Sequence, residues 1–179
     1  MSHANVTVTR TVVTSNPSTI VINTGYLKTS NGLLKLLQLI LGGVAVGLLL
    51  KNFDDYPYFT YRNGIQYYQN YPNFPHLVPV LLLLLAATVF SILTAILLLS
   101  CIFSLSTGGL ISKTLYEFLY HLVAAILLLI ASILLYAKIH NLEYLLKFYK
   151  WFLAATILCF VNSLLYLAST VLAFRDYRK

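Results

Sequence analysis

Apolar and polar positions in this chain separate into long blocks instead of mixing within single turns. Apolar residues run almost unbroken through Leu33–Leu50, Leu77–Leu105, Leu115–Ala137 and Trp151–Phe174, with polar stretches between them. A hydrocarbon core of about 30 Å is crossed by roughly 20 helical residues, so each block predicts a membrane-spanning helix. The runs are continuous, whereas the strands of a barrel would alternate. The second block carries no charge over 29 positions. At about 1.5 Å per residue such a helix is longer than the hydrocarbon is thick, and has to tilt or project. Pro79 falls in its first turn, where a missing N–H is tolerated. The expected fold class is all-α, an integral membrane four-helix transmembrane bundle over residues 32–175. A disordered Thr/Ser-rich tail (1–31) precedes it and a short basic tail (176–179) follows.

Composition agrees with that pattern. Hydrophobic residues make up 59% of the chain and charged residues only 9%, against about 25% charged in an ordinary soluble domain. The net charge of +7 would suggest nucleic acid only if a soluble basic face existed to carry it. Here the basic residues cluster at the ends of the spans, so no nucleic-acid partner is expected. With four spans both termini share one side, together with Arg10, Lys28, Lys35, Lys113, Arg175, Arg178 and Lys179. The other side has Lys51, Arg62, Lys138, Lys147 and Lys150. The excess predicts cytoplasmic termini for an integral multi-pass protein. The polar first thirty residues lack the apolar core of a cleavable signal, so the first span is expected to direct its own insertion.

The most unusual polar stretch is residues 51–76. It holds Phe53 and the contact-loop candidates Tyr56, Tyr58, Phe59, Tyr61, Tyr67, Tyr68, Tyr71 and Phe74, broken by three prolines and by Asn63-Gly64. Asn-Gly between aromatic flanks predicts a hairpin. Aromatic side chains also favour the headgroup region. The segment is therefore expected to form a cap on the bilayer or a contact surface. Residues 138–150 read as a turn that leads into an outward extension of the fourth helix.

Within the spans, Lys113, Glu117 and His121 recur every fourth residue and share one helix face. Lys35 and Glu117 each sit two positions inside a span that starts on the same side, with Gln38 and His121 about one turn deeper. These four predict a polar clamp between the first and third helices. The alternative, a proton or ion site, is weakened because lysine so near the surface can snorkel. Gly43 and Gly47 make a GxxxG spacing expected to serve helix packing within the bundle, and Asn162 is expected to act as interhelical glue. Cys101 lies near the end of the second span and is a candidate for S-palmitoylation, set against an inert buried thiol. Cys101 and Cys159 are too few for a disulfide scaffold or a cysteine metal site. The sequence contains no nucleophile elbow, zinc-protease motif or phosphate loop, and no catalytic residue, cofactor or metal is expected.

Four spans with a first span opening Gly32-Leu33-Leu34-Lys35-Leu36-Leu37-Gln38-Leu39-Ile40-Leu41-Gly42 resemble the MARVEL-domain family. The run Tyr26-Leu27-Lys28-Thr29, the segment 106–114 and the ending 165–179 look most like one insect member of that family. The first-loop cysteine pair of some branches is missing. The resemblance implies a non-enzymatic protein of membrane apposition, vesicle trafficking or cell fusion. Its implied partners are membrane lipids and other membrane proteins, with self-association a candidate. The competing expectations are a small transporter or channel subunit, with a path through Glu117, His121 and Asn162, and a cell-junction barrier component.

Overall fold

A computed structural model describes residues 23–54, 59–62, 65–68, 77–103, 111, 114–140 and 149–178. Four long helices dominate it: α1 (Ser30–Asp54), α2 (Leu77–Phe103), α3 (Leu115–His140) and α4 (Tyr149–Tyr177). All four are long and apolar enough to cross a membrane. A two-stranded antiparallel hairpin, β1 (Phe59–Arg62) and β2 (Ile65–Tyr68), lies between α1 and α2. Its register pairs Phe59 with Tyr68 and Arg62 with Ile65, and the predicted Asn63-Gly64 turn lies outside the described residues.

The helices run up and down. The start of α1 meets the end of α4 through Asn31 Nδ2, which donates to Asp176 Oδ2 at 3.3 Å. The start of α1 also meets the start of α3 through Lys35 and Glu117. At the opposite end Lys51 Nζ sits 4.9 Å from the centre of the Trp151 ring, joining the end of α1 to the start of α4. The start of α1 and the end of α4 therefore lie at one end of the bundle, called the near end below. The α3–α4 interface is the most extensive, and α1 also packs broadly on α4 and α2.

Helix α1 is set by its first residues. A short 3-10 turn, Thr24–Lys28, stops at Thr29, whose extended backbone (φ −77°, ψ 153°) redirects the chain. Thr29 then caps α1, its Oγ1 accepting the Gly32 N–H at 3.1 Å, the usual service of a threonine at this position. The same hydroxyl donates to the Tyr26 carbonyl at 2.6 Å. Asn23 N–H donates to the Ile102 carbonyl at 2.7 Å, tying the segment to the end of α2. Residues 23–31, assigned from sequence to a disordered tail, are thus folded onto the near end of the bundle. Local capping and one long-range bond hold them there. Residues 1–22 and 141–148 lie outside the described residues, so the rest of the tail and most of the 138–150 turn do too. Helices α1 and α3 extend beyond their predicted ends at Leu50 and Ala137, because neither Lys51 nor Lys138 breaks a helix.

The core divides by depth. Toward the far end it is mainly carbon: Ala45, Leu49, Val80, Leu83, Leu128, Leu135, Ile139 and Ala155 are fully buried, and the buried hydroxyls there, Ser132 and Thr156, bond within their own helices. Toward the near end it is polar, with Lys35, Gln38, Thr94, Glu117, His121, Asn162 and Ser169 all buried. Every helix turns a second apolar face outward, as with Ile40 and Val44, Leu85 and Ile92, Ile126 and Ile133, and Ile157 and Val171. In water so continuous an apolar surface would drive aggregation. In a bilayer it meets lipid tails, and the driving force for helix association shifts to close packing and polar contacts.

Candidate functional site

The polar half of the core is built in three layers, each supplied by several helices. The outermost centres on Lys35 of α1, whose Nζ is paired with Glu117 Oε1 of α3 in a buried salt bridge. Lys35 Nζ also donates to the Tyr26 hydroxyl at 3.1 Å. Burial and the neighbouring Cys101 push the Tyr26 hydroxyl's pKa upward, so it stays protonated. His121, one turn inward on α3, places Nε2 at 3.7 Å from Glu117 Oε1. Of the four residues the sequence grouped as a clamp, Lys35, Glu117 and His121 lie together here beside Tyr26, whereas Gln38 turns to α4.

The second layer joins all four helices. Gln38 Nε2 donates to Ser169 Oγ at 2.7 Å, linking α1 to α4. Thr94 Oγ1 of α2 lies 2.7 Å from the Tyr120 hydroxyl of α3 and 2.6 Å from the Tyr166 hydroxyl of α4. Both phenols also reach the Phe90 carbonyl, at 3.0 and 3.2 Å. Three hydroxyl protons serve these four contacts: if Tyr166 donates to Thr94, Thr94 to Tyr120 and Tyr120 to the Phe90 carbonyl, each hydroxyl donates once and Tyr166 only approaches that carbonyl. The rings of Tyr120 and Tyr166 meet edge to face, with centroids 6.3 Å apart, a preferred aromatic geometry.

In the third layer, near mid-depth, Asn162 Nδ2 donates to the Gln38 carbonyl at 3.2 Å. Gly42 makes this layer possible. A Cβ there would lie 2.2 Å from Ser91 Oγ and 3.3 Å from Asn162 Nδ2. Gly43 and Gly47, expected to pack inside the bundle, instead have nothing within 4 Å of where a Cβ would stand. The helical phase explains the difference, since Gly42 shares the inward face with Gln38 and Ala45, one turn on either side.

Cys101, a palmitoylation candidate from sequence, is buried at the near end against Tyr26, not displayed to lipid or solvent. Of the contact-loop candidates, Phe59 and Tyr61 fall in β1 and Tyr67 and Tyr68 in β2. Tyr56, Tyr58, Tyr71 and Phe74 lie outside the described residues. The sequence reading missed Tyr120 and Tyr166 as polar-core residues. The available signal was depth, because tyrosine normally seeks the interface. One placed this far inside a span needs a hydrogen-bond partner.

Two lipid-facing grooves flank the apolar half. One, about 280 Å³, is lined by Ser132, Ile133, Tyr136, Thr156, Ile157 and Phe160 between α3 and α4. The other, about 260 Å³, lies between α2 and α3 along Leu85, Val89 and Leu127. Ser132 and Thr156 donate to their own helices, at the Leu128 and Phe152 carbonyls, so the first groove offers mainly carbon. Among the described residues no group of His, Cys, Asp and Glu side chains is arranged to hold a metal ion.

This is the architecture of an integral, multi-pass membrane protein whose helices are joined by a polar core. The chain belongs to the MARVEL family, described as a membrane-associating domain, whose sequence profile matches residues 26–172. The matched region begins at Tyr26, so the segment folded over the near end belongs to the domain. Comparison with curated proteins and with solved structures returns no match.

Proposed function

We propose that this protein is a non-enzymatic membrane scaffold acting in membrane apposition, vesicle trafficking or cell–cell fusion. It would associate laterally with lipids and other membrane proteins through its outer helix faces, and make contacts through the aromatic 51–76 segment. The supporting observation is the division of labour in the bundle. A cross-linked polar core holds the four helices together, leaving an apolar outer face on every one of them for lipid or protein neighbours. The carbon-lined grooves are natural seats for acyl chains. The fully buried apolar core of the far half speaks against a transport path. A myoblast-fusion role rests on the likeness of residues 26–29, 106–114 and 165–179 to the insect protein singles bar. Cytoplasmic termini follow from the basic residues at the near end.

The test replaces Tyr67, Tyr68 and Tyr71 together with serine. Fusion or sorting is expected to fall while the amount of protein in the membrane stays unchanged. Normal activity at normal abundance would remove the contact role. Robust cation flux by the reconstituted protein, abolished by Glu117→Gln, would favour transport instead.

A further inference from the structure

Each of the four helices carries a buried polar atom, near the second and third layers, that has no hydrogen-bond partner. They are Gln38 Oε1 on α1, Ser91 Oγ on α2, both ring nitrogens of His121 on α3, and Asn162 Oδ1 on α4. All four residues are more than nine-tenths buried. The two amides are anchored by their NH2 ends, on Ser169 Oγ and the Gln38 carbonyl, which leaves each oxygen free. Gln38, Ser91 and Asn162 meet around Gly42, and His121 approaches them through Tyr166. Ser91 Oγ and Asn162 Nδ2 both border Gly42, and the His121 ring is 5.8 Å from that of Tyr166, one turn along α4 from Asn162.

We propose that this part of the bundle is a binding site for internal water, shared by Gln38, Ser91, His121 and Asn162. Leaving a buried polar group unmatched costs about 1–3 kcal/mol, and several at one depth would oppose the packing that surrounds them. The chemistry selects the ligand. Two amide oxygens and the bare imidazole nitrogen need donors, while the imidazole N–H and the serine hydroxyl need acceptors, and water supplies both kinds. Buried waters typically make about three such bonds. A cation would leave the N–H unmatched and stand near the Lys35 ammonium. An anion would leave the amide oxygens unmatched.

The site is one-sided. Beyond Gly42 the core closes with Ala45, Leu49, Leu83, Ala87 and Cys159, none more than 2% exposed. Water therefore enters from the near end, past Tyr26 and the Lys35–Glu117 pair, and stops at mid-depth.

The experiment uses the full chain, isotopically labelled, in bilayers with deuterated acyl chains. Magnetisation transfer from water is read by solid-state NMR. The His121 ring and the Asn162 amide are expected to receive water magnetisation several-fold faster than the methyls of Leu83 and Leu128. If both stay as dry as those leucines while Tyr26 is wet, the site is overturned. Asn162→Leu should slow the transfer to His121, and unchanged transfer in that folded variant would exclude the shared water. Vesicles holding the protein should pass protons no faster than empty ones, and faster passage would overturn the dead end.

Discussion

At the near end the helices are joined by side chains that bond across the bundle: Lys35 to Glu117, Gln38 to Ser169, and Thr94 to Tyr120 and Tyr166. Past Gly42 they are joined by Ala45, Leu49, Leu83, Leu128, Leu135 and Ile139, which offer only shape. Within a bilayer leucine gains nothing from leaving lipid for protein, so the apolar half is held by packing alone. The polar half gains directional bonds, and each bond also fixes rotation and register. It is consistent that the two carbon-lined grooves flank the apolar half. One end of the molecule is locked, and the other end can accommodate neighbours.

The largest test of this contrast is to break the lock at its charged pair. Lys35→Met or Glu117→Leu alone leaves a buried charge without its partner, which costs about 3–5 kcal/mol. The double variant replaces both charges with apolar groups and should recover most of that loss. Unfolding in mixed micelles would measure all three. A double variant as unstable as either single would mean that the pair supports the Tyr26 closure more than it compensates its own burial.

Much of this arrangement was legible in the chain. Four unbroken apolar blocks defined the helices, because only helices satisfy their backbone inside lipid. The Lys35–Glu117 pair followed from two charges at equal depth in spans starting on one side. Helical phase relative to the other helices was not legible, since all faces of these spans are apolar and no moment points inward. That is why a recognisable GxxxG at Gly43 and Gly47 drew attention away from Gly42. Tyr26 was invisible as a core element for a different reason. Its segment looks polar and unstructured, and it is fixed by a cap at Thr29 and a bond to the Ile102 carbonyl. The hairpin was legible from Asn63-Gly64 alone because its turn chemistry is local.

A second test uses that glycine difference. Gly42→Val would drive a side chain into Ser91 Oγ and the Asn162 amide, and overpacking of this kind costs about 1–3 kcal/mol. Gly47→Val adds a methyl pair to open lipid-facing surface and should change stability by less than about 0.5 kcal/mol. The same micelle titration compares them. If Gly47→Val proves the more damaging, that face must be covered by a second copy or a partner, and cross-linking of the native protein in membranes would identify which.

The smallest expected effect is the most discriminating, because it removes the same group from both halves. Tyr166→Phe deletes a hydroxyl that joins α4 to Thr94 of α2. Ser132→Ala deletes one that bonds only to Leu128, within its own helix. Interhelical hydrogen bonds in membranes average about 0.6 kcal/mol and reach about 1.7. Tyr166 should stand at the upper end, since its loss also leaves Thr94 short of a donor in a relay of three hydroxyls. The Ser132 bond exists equally in the isolated helix, so its loss should leave the assembled bundle almost unchanged. Unfolding of Tyr166→Phe should therefore shift to clearly lower detergent while Ser132→Ala overlays the native curve. Equal shifts would mean that hydroxyl burial, and not bonding between helices, sets the stability of both halves.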